Sequence, residues 1–249
     1  MIKAIIFDFD GTLADTELIT LRAVNKYAAR FKYKKVRDRE KLRHKEGIEV
    51  LTKELGIPMW KLPYIAWKAK QLAKKELREA HLFPEIKKTV DELKKDYLII
   101  VVTSNHKQLV EYVFKKDNLE LENVHSSTFF TKNIRLLWVM KRFRLKKEEC
   151  IYIGDEIRDV KACKHVGMNM IGVSWGYNSA EALKKAGAEV IADSPKEILD
   201  IIKKMKANRM SNSKKEDHLN VKKLNVKKKV RKIMSSLKKY NNKNKGRDE

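Results

Sequence analysis

Two aspartates, Asp8 and Asp10, stand two residues apart directly after a run of β-forming residues near the start of the chain. Gly11 and Thr12 follow, which predicts a buried strand that ends in a tight polar turn. In an open parallel sheet, ligands bind at the carboxyl ends of the strands. Carboxylates at such an end suit the Mg²⁺-assisted transfer of a phosphoryl group to a carboxylate. The alternative for the two aspartates alone is a capped turn, which Asp-Gly often forms.

Further polar groups fall at the ends of other predicted strands, and parallel strands would bring all of these ends to one edge of the sheet. A hydroxyl, an ammonium and a further acid would complete the set for phosphoryl transfer, because this reaction depends on positioning and charge neutralisation. The candidates are Thr103, Ser104 and Asn105 after the second strand, Lys132, and Asp155 and Asp159 after the third. The first three also suit a helix N-cap, and both interpretations can hold because helix N-termini also bind phosphate.

The elements that must position these residues are strands that alternate with helices between Asp91 and Asp193. Gly167 is predicted to cap one of these helices, Arg158–Val166. The alternation predicts an α/β fold, in which a parallel sheet carries helices on both faces. The predicted strands are Lys3–Phe9, Leu98–Thr103, Cys150–Ile153, Met168–Val173 and Val190–Ala192.

Residues 15–82 interrupt this alternation, because they show helical patterns and no convincing strand. The predicted helices are Thr16–Arg30, Arg37–Leu55 and Lys61–Glu79. A helical insertion directly after the first strand predicts a small second domain over the strand ends. The predicted division is a core of residues 1–14 and 83–202, a helical domain of residues 15–82, and an extension of residues 203–249.

The positive charge of the chain is concentrated at its C-terminal end. The formal net charge is +24, and residues 201–249 contribute +14 of it, with 18 Lys/Arg against 4 Asp/Glu. Apolar residues at helical spacing between Val226 and Leu237 lie opposite a lysine-rich face, which predicts a basic amphipathic helix with disordered flanks. Such a segment could bind nucleic acid or another anionic surface weakly and without sequence specificity, or remain solvated with no partner.

The composition excludes several other classes of protein. Hydrophobic residues make up 43% of the chain, as in globular proteins, and the apolar runs are too short to span a bilayer. We expect no signal peptide, because the first residues contain no apolar stretch of that type. The two cysteines, Cys150 and Cys163, lack the spacing of a metal site, which favours a reducing, cytoplasmic location. The sequence gives no indication of zinc, haem, flavin or NAD.

The motif set resembles that of the haloacid dehalogenase (HAD) superfamily of phosphohydrolases. The shared motifs, in the family's order, are DxDGT at residues 8–12, Thr103, Lys132 and GDxxxD at residues 154–159. The likeness covers about residues 1–200 and is greatest for the phosphoglycolate-phosphatase-like branch, which has a helical cap after the first motif. The resemblance implies a Rossmann-like core, a C1-type helical cap at residues 15–82, and an enzyme that is a phosphoric monoester hydrolase.

The resemblance also implies a role for each acidic residue. Asp8 would be the nucleophile that forms an aspartyl-phosphate, and Asp10 would be the general acid that protonates the leaving group and then activates water. Mg²⁺ would be held by Asp8, the backbone carbonyl of Asp10 and Asp155, with water molecules completing its shell. Asp159 would bind a water molecule of the metal or orient Lys132, which would neutralise the nucleophile and the transferring group.

The substrate's phosphoryl group would be bound by two loops. Gly11 would let the backbone turn close to the phosphate, and Thr12 would add donors there. Thr103 and the backbone of Ser104 would hydrogen-bond the phosphoryl oxygens, and Asn105 in the same loop would also contact the substrate.

Two positions depart from the family's pattern. The usual Lys-Pro context is missing around Lys132, so Lys141 and Lys146 remain alternatives, although a position after Phe129-Phe130 and before a helix favours Lys132. Glu156 stands where many relatives carry Ser or Thr. It could contact the metal's shell, or it could be a solvated residue at a helix N-terminus.

The helical segment is expected to set substrate specificity by closing over the site. Arg43, His44 and Lys45 lie near a predicted helix junction and could grip the substrate beyond its phosphate. A solvated basic face is the simpler interpretation of these three residues. The aromatic residues expected to pack in the core of the segment are Trp60, Tyr64 and Trp67.

These observations predict a Mg²⁺-dependent phosphatase that hydrolyses a small phosphorylated metabolite through an aspartyl-phosphate. A phosphomutase on the same core is an alternative, because the motifs alone do not separate the two reactions. The second alternative is a protein of another class, one that binds nucleic acid or an anionic surface through its basic extension.

Overall fold

The computed structural model describes residues 1–128 and 131–208, except the side chains of residues 66, 69, 70 and 72–75. Met1–Ile202 form one compact unit, and the elements that carry the candidate site lie in it. The amphipathic helix predicted between residues 226 and 237 lies outside the described residues, and so does the pair Phe129-Phe130.

A six-stranded parallel sheet forms the centre of the first unit, with the strand order β3-β2-β1-β4-β5-β6. The strands are β1 (Ala4–Phe7), β2 (Leu98–Thr103), β3 (Val124–Ser126), β4 (Cys150–Gly154), β5 (Asn169–Val173) and β6 (Val190–Ala192). Every residue of β1 and of β4 is buried, as expected of strands that are covered on both faces. The predicted α/β fold class is confirmed.

Helices connect the strands and build the segment that follows β1. They are α1 (Glu17–Phe31), α2 (Arg39–Arg43), α3 (Gly47–Glu49), α4 (Leu62–Leu77), α5 (Ile86–Leu93), α6 (Lys107–Lys116), α7 (Lys132–Arg142), α8 (Ile157–Val166) and α9 (Ala180–Ala186). Gly167 caps α8 with a φ of +68°, which confirms the predicted helix end. Within the described residues, no helix combines the length and the apolar character that crossing a bilayer requires.

The long helix predicted over residues 37–55 is wrong, because the structure has three short pieces there. They are α2, α3 and a π-helical turn over Val50–Glu54. The helix breaks around His44, where two backbone carbonyls accept hydrogen bonds from the side chain of Asn178 at 2.9 and 2.8 Å. A partner so distant in sequence leaves no trace in the local helical pattern.

Strand β3, at one edge of the sheet, was not among the strands predicted from the sequence. Its three residues, Val-His-Ser, are too few to show an alternating pattern. The strand exists because it pairs with β2, with Val124 opposite Val101. Its stability is therefore a tertiary property and not a local one.

The predicted packing of Trp60, Tyr64 and Trp67 in the core of the helical segment is wrong. Their exposed fractions are 78%, 58% and 56%. Aliphatic side chains supply that core instead, with Leu62 and Ile65 among its buried members. The aromatic residues occupy the outward side of the same stretch of chain, where Lys ammonium groups lie 4.9 and 5.7 Å from the centres of the two tryptophan rings.

Candidate active site

The register of the sheet brings the ends of β1, β2 and β4 to one level. Phe7, the last residue of β1, pairs with a residue of β2 and a residue of β4 that stand two positions before Thr103 and Asp155. Asp8 follows Phe7 directly, so all three polar residues emerge at the carboxyl edge of the sheet. β1 lies where the strand order changes direction, and in open α/β sheets the crevice at this point binds ligands.

Asp8 is fully buried, and both of its carboxylate oxygens are held. Oδ1 accepts a hydrogen bond from the backbone N–H of Phe9 at 2.8 Å, and Oδ2 accepts one from Nζ of Lys132 at 2.6 Å. Lys132 also donates to Asp159. Burial disfavours the charge of Lys132, but the two carboxylates outweigh it and raise the pKa of the ammonium above its ordinary value. A buried ammonium group therefore lies beside the carboxylate predicted to be the nucleophile.

The two alternatives to Lys132 lie away from these carboxylates. Lys141 stands later on α7 and Lys146 in the loop that follows, and both are exposed. Asp159 accepts a hydrogen bond from Lys132 and another, through Oδ2, from the backbone N–H of Glu156 at 3.1 Å. Burial raises the pKa of Asp159 to about 6, against the opposing effect of Lys132. This geometry is the one expected of a residue that orients Lys132.

Asp155 is fully buried, and the loops that follow β1 and β5 pack closely against its carboxylate. Its Oδ1 accepts a hydrogen bond from the hydroxyl of Thr12 at 2.6 Å, and its Oδ2 accepts one from the N–H of Tyr177 at 2.8 Å. A Cβ atom at Gly11 or at Gly176 would collide with the carboxylate of Asp155, so the loops can approach it only without side chains there. Burial, and then the neighbouring carboxylates, raise the pKa of Asp155 well above its ordinary value.

Asp8, Asp155 and Asp159 offer carboxylate oxygens that all lie within 4.8 Å of one another. All three residues are buried, and three clustered carboxylates in a buried site are costly unless cations balance them. Hard oxygen donors of this kind are the ligands that Mg²⁺ prefers, so the residues present fit the predicted ion. The side chain of Asp10 does not belong to this group, which is compatible with a contribution through its backbone carbonyl.

The carboxylate of Asp10 is held by the side-chain amide of Asn105. Nδ2 of Asn105 donates to Oδ1 and Oδ2 of Asp10 at 2.9 and 2.7 Å. Asn105 is itself fixed, because only 5% of it is exposed and its backbone N–H donates to the hydroxyl oxygen of Thr103 at 3.0 Å. The amide therefore orients Asp10, a role that the sequence analysis did not foresee. The predicted contact of Asn105 with the substrate stays a prediction.

The loop that carries Thr103 and Ser104 leads from β2 into α6. Thr103 is fully buried, and a hydroxyl that accepts one hydrogen bond can still donate its own hydrogen to another oxygen, here that of a phosphoryl group. Ser104 is partly buried and lines the same cavity as Asp10. The placement of both residues is thus compatible with the predicted phosphate contacts.

Tyr177 and Asn178, in the loop after β5, are two site residues that the sequence analysis missed. Besides its bond to Asp155, Tyr177 donates from its hydroxyl to that of Thr20 on α1 at 3.0 Å. Asn178 is 4% exposed, and its Oδ1 accepts a hydrogen bond from the N–H of Ile157 at 2.9 Å. The sequence could have indicated them, because they belong to a polar stretch soon after a predicted strand. The carboxyl end of that strand lies at the same edge of the sheet as the acidic motifs.

Arg43, His44 and Lys45 make specific contacts instead of forming a uniformly solvated face. Arg43 Nη2 donates to the carbonyl of Ser174 at 2.8 Å, and Nδ1 of His44 lies 3.1 Å from the hydroxyl of Ser179. Lys45 pairs with a glutamate of the π-helical turn. Two of the three thus tie the helical segment to the loop after β5. The alternative that these residues grip the substrate stays untested.

We expect Gly11→Ala to lower both the stability of the protein and its activity. Gly11 has a φ of +70°, and strain there costs an alanine about 1–2 kcal/mol. The added Cβ would also meet the carboxylate of Asp155 and the ring of Tyr177. Gly56→Ala is the matched control, because Gly56 has a φ of +74° but nothing within 4 Å of an added Cβ. Urea unfolding should show a larger loss for Gly11→Ala, whereas equal losses with full activity would contradict the close packing around Asp155.

Comparison with known families identifies the class of protein. The family model described as haloacid dehalogenase-like hydrolase matches residues 5–173. The chain therefore belongs to the haloacid dehalogenase-like hydrolase family, and the resemblance inferred from the motifs is confirmed.

Individual relatives and solved structures agree with this assignment. A phosphoglycolate phosphatase from Synechococcus elongatus is 25% identical over 205 residues, which are 80% of this chain and 97% of the relative. Another, from Vibrio parahaemolyticus, is 24% identical over 81% of this chain and 96% of its own length. A haloacid dehalogenase-like family hydrolase from Streptococcus pneumoniae shares the fold, with a TM-score of 0.69, 21% identity and coverage of 81% of this chain and 98% of that one.

Proposed function

We propose that this haloacid dehalogenase-like phosphatase hydrolyses small phosphomonoesters through a phosphoryl group carried on Asp8. The observation that supports this most is the pair Asp8–Lys132, which places a buried carboxylate beside a buried ammonium at the carboxyl edge of the sheet. Such a pair holds the carboxylate of Asp8 in place and offers a positive charge to the oxygens of an incoming phosphoryl group.

The reaction divides into two displacements at phosphorus. In the first, a carboxylate oxygen of Asp8 forms a bond to phosphorus while the bond to the alcohol oxygen breaks, and Asp10 gives its proton to that oxygen. In the second, water attacks the phosphorus, Asp10 takes a proton from that water, and Asp8 leaves as a free carboxylate. The amide of Asn105 holds Asp10 in one orientation, which favours its action on the leaving oxygen.

Mg²⁺ would be held by the carboxylates of Asp8 and Asp155, with the backbone carbonyl of Asp10 and with Asp159 near its shell. When bound, it would neutralise the charge that two acids and a phosphoryl group bring together. The matched relatives are named phosphoglycolate phosphatases, so their substrate belongs to the general class proposed for this chain. Transfer to a second hydroxyl of a phosphorylated substrate, as in a phosphomutase, is the alternative outcome.

The experiment that tests the proposal is phosphate release from a panel of phosphomonoesters, measured with Mg²⁺ and with EDTA. Release that requires Mg²⁺ is the expected result. Isomerisation of a sugar phosphate without release of phosphate would favour the mutase.

We expect Asp155→Asn to raise the Mg²⁺ concentration required for half-maximal activity at least about 10-fold. Substitution of residues that only hydrogen-bond to a metal ligand already lowers metal affinity about 10–100-fold, so loss of a ligand should have at least this effect. The amide would keep the shape of Asp155 but lose the charge that attracts the ion. Asp193→Asn is the control, since Asp193 also follows a strand but is exposed. Titration of activity with Mg²⁺ measures both variants, and an unchanged requirement in Asp155→Asn would contradict the proposed ligand.

The basic extension offers no support for the alternative function. Its predicted helix lies outside the described residues, and the matched relatives are named as a phosphatase and a hydrolase. Contact with nucleic acid or an anionic surface therefore stays a prediction from charge alone.

A further inference from the structure

A cavity of about 260 Å³ opens from the candidate site into the helical segment. At one end it is lined by Asp10, Ser104 and Asn105, the groups that would surround the phosphoryl group and the leaving oxygen. The far end lies between α1 and the chain from residue 36 to residue 55. The side chains that line this end are mostly aliphatic, among them Leu21, Val24, Val36, Leu51 and Leu55.

The charged side chains that line the cavity are bound to other groups of the protein. Arg39 pairs with Glu17, with Nε donating to Oε1 at 2.7 Å. Lys45 pairs with a glutamate of the π-helical turn, and Arg158 pairs with Glu156. Among the cations of the lining, these three are each neutralised by a carboxylate.

Arg43, the fourth cation of the lining, is directed to the backbone of the core. Its Nη2 donates to the carbonyl of Ser174 at 2.8 Å, and its Nη1 lies 3.8 Å from a carboxylate oxygen of Glu40. Nε of Arg43 is buried and has no hydrogen-bond partner among the described residues, so a carboxylate on the substrate could gain one hydrogen bond there. To be bound by two nitrogens of Arg43, it would have to displace the carbonyl of Ser174 or the nearby carboxylate of Glu40. The other three cations already have carboxylate partners, so a charged group gains little from them, whereas an apolar group would gain contacts with the aliphatic side chains.

We propose that the preferred substrate is a phosphomonoester of an alcohol with an apolar alkyl or aryl body, and not a short phosphomonoester that ends in a carboxylate. This inference rests on the proposed function, because the reaction at Asp8 and Asp10 is what directs the alcohol into the cavity. The phosphoryl group supplies the negative charge that binds at the site. The aliphatic side chains at the far end of the cavity favour an apolar alkyl or aryl group in the alcohol part of the substrate.

Kinetics with matched substrates test the proposal directly. At saturating Mg²⁺, kcat/KM for butyl phosphate and benzyl phosphate should exceed that for phosphoglycolate by at least about 10-fold, a discrimination within the range of apolar pockets. A higher kcat/KM for phosphoglycolate than for both apolar substrates would overturn the proposal.

Two substitutions on one helix connect the preference with the cavity. Leu21→Trp would fill the apolar end, and we expect it to lower kcat/KM for butyl phosphate about 10-fold or more while changing that for phosphoglycolate much less. Leu18→Trp is the matched control, because Leu18 is on α1 but is 46% exposed and is not a lining residue. Equal effects of Leu21→Trp on both substrates would contradict the assignment of this cavity to the alcohol.

Binding of inert analogues separates a failure of this inference from a failure of the proposed function. Butylphosphonate and phosphonoacetate can be titrated into the full chain with Mg²⁺ by calorimetry. Tighter binding of butylphosphonate, weakened by Leu21→Trp, would support the cavity assignment even if none of the phosphomonoesters were hydrolysed, and the proposed reaction alone would then fail. Tighter or equal binding of phosphonoacetate would overturn the inference, while hydrolysis of any panel member would still support the reaction.

Discussion

Asp8→Asn should reduce phosphate release by roughly 10⁴-fold or more, the scale on which loss of a nucleophile acts when no other group replaces it. The amide has nearly the same shape as the carboxylate but cannot form the acyl phosphate. It also removes the negative charge that lies 2.6 Å from Nζ of Lys132, so the charge balance of the site changes together with its chemistry. Initial rates of phosphate release at saturating Mg²⁺ measure the effect.

The fold of Asp8→Asn should remain intact, because the substitution removes one of three clustered buried carboxylates and leaves Lys132 paired with Asp159. A circular dichroism spectrum and a thermal unfolding curve close to those of the unsubstituted protein would establish this. Asp15→Asn is the matched control, since Asp15 lies in the same segment of chain and is exposed. Substantial turnover by Asp8→Asn would contradict the assignment of Asp8 as nucleophile.

Five of the six strands and the location of the site could be predicted, because local sequence patterns indicate them. β1 and β4 are continuous apolar runs, as strands buried on both faces must be, and each is followed within two residues by an aspartate. Parallel pairing then places Asp8 and Asp155 at one edge without any knowledge of side-chain contacts. The acidic cluster is thus largely a consequence of topology.

The parts that could not be predicted depend on contacts between distant residues. The break around His44 is set by Asn178, which is more than 130 positions away, and the helical pattern of residues 37–55 contains no sign of it. Similarly, Trp60 is apolar enough to suggest burial, but the aliphatic side chains already fill the core beside it. Hydrophobic pattern identifies which residues can be buried, and packing decides which of them are.

The orientation of Asp10 shows the same limit within the site. The sequence identifies Asn105 as a polar residue after a strand, a position that suits contact with phosphate. The structure directs its amide to both oxygens of Asp10, because the turn from Thr103 to Asn105 fixes the backbone there. The topology of the sheet predicts that Asn105 and Asp10 lie near each other, but it does not predict that the amide of Asn105 bonds to Asp10.

Lys132→Met is expected to impair activity and stability together. Lys132 is 4% exposed and donates to both Asp8 and Asp159, so its removal leaves two buried carboxylates without their common partner. Breaking a buried ion pair from one side costs about 3–5 kcal/mol. Activity should fall by roughly 10²–10³-fold, as when one preorganised group that stabilises transition-state charge is lost. Urea unfolding in EDTA and phosphate release at saturating Mg²⁺ measure the two effects.

Lys141→Met provides the comparison that makes this result specific. Lys141 lies on the same helix, carries the same charge and was a candidate for the same role, but it is exposed. The two variants lose the same net charge, so a difference between them reports only the position of the ammonium. We expect Lys141→Met to retain activity and stability, because a solvated charge away from the site has little to stabilise. Loss of activity in Lys141→Met with retention in Lys132→Met would reverse the assignment.

Mg²⁺ should also restore part of the stability of Lys132→Met, since a bound cation would offset the charge that the lysine no longer balances.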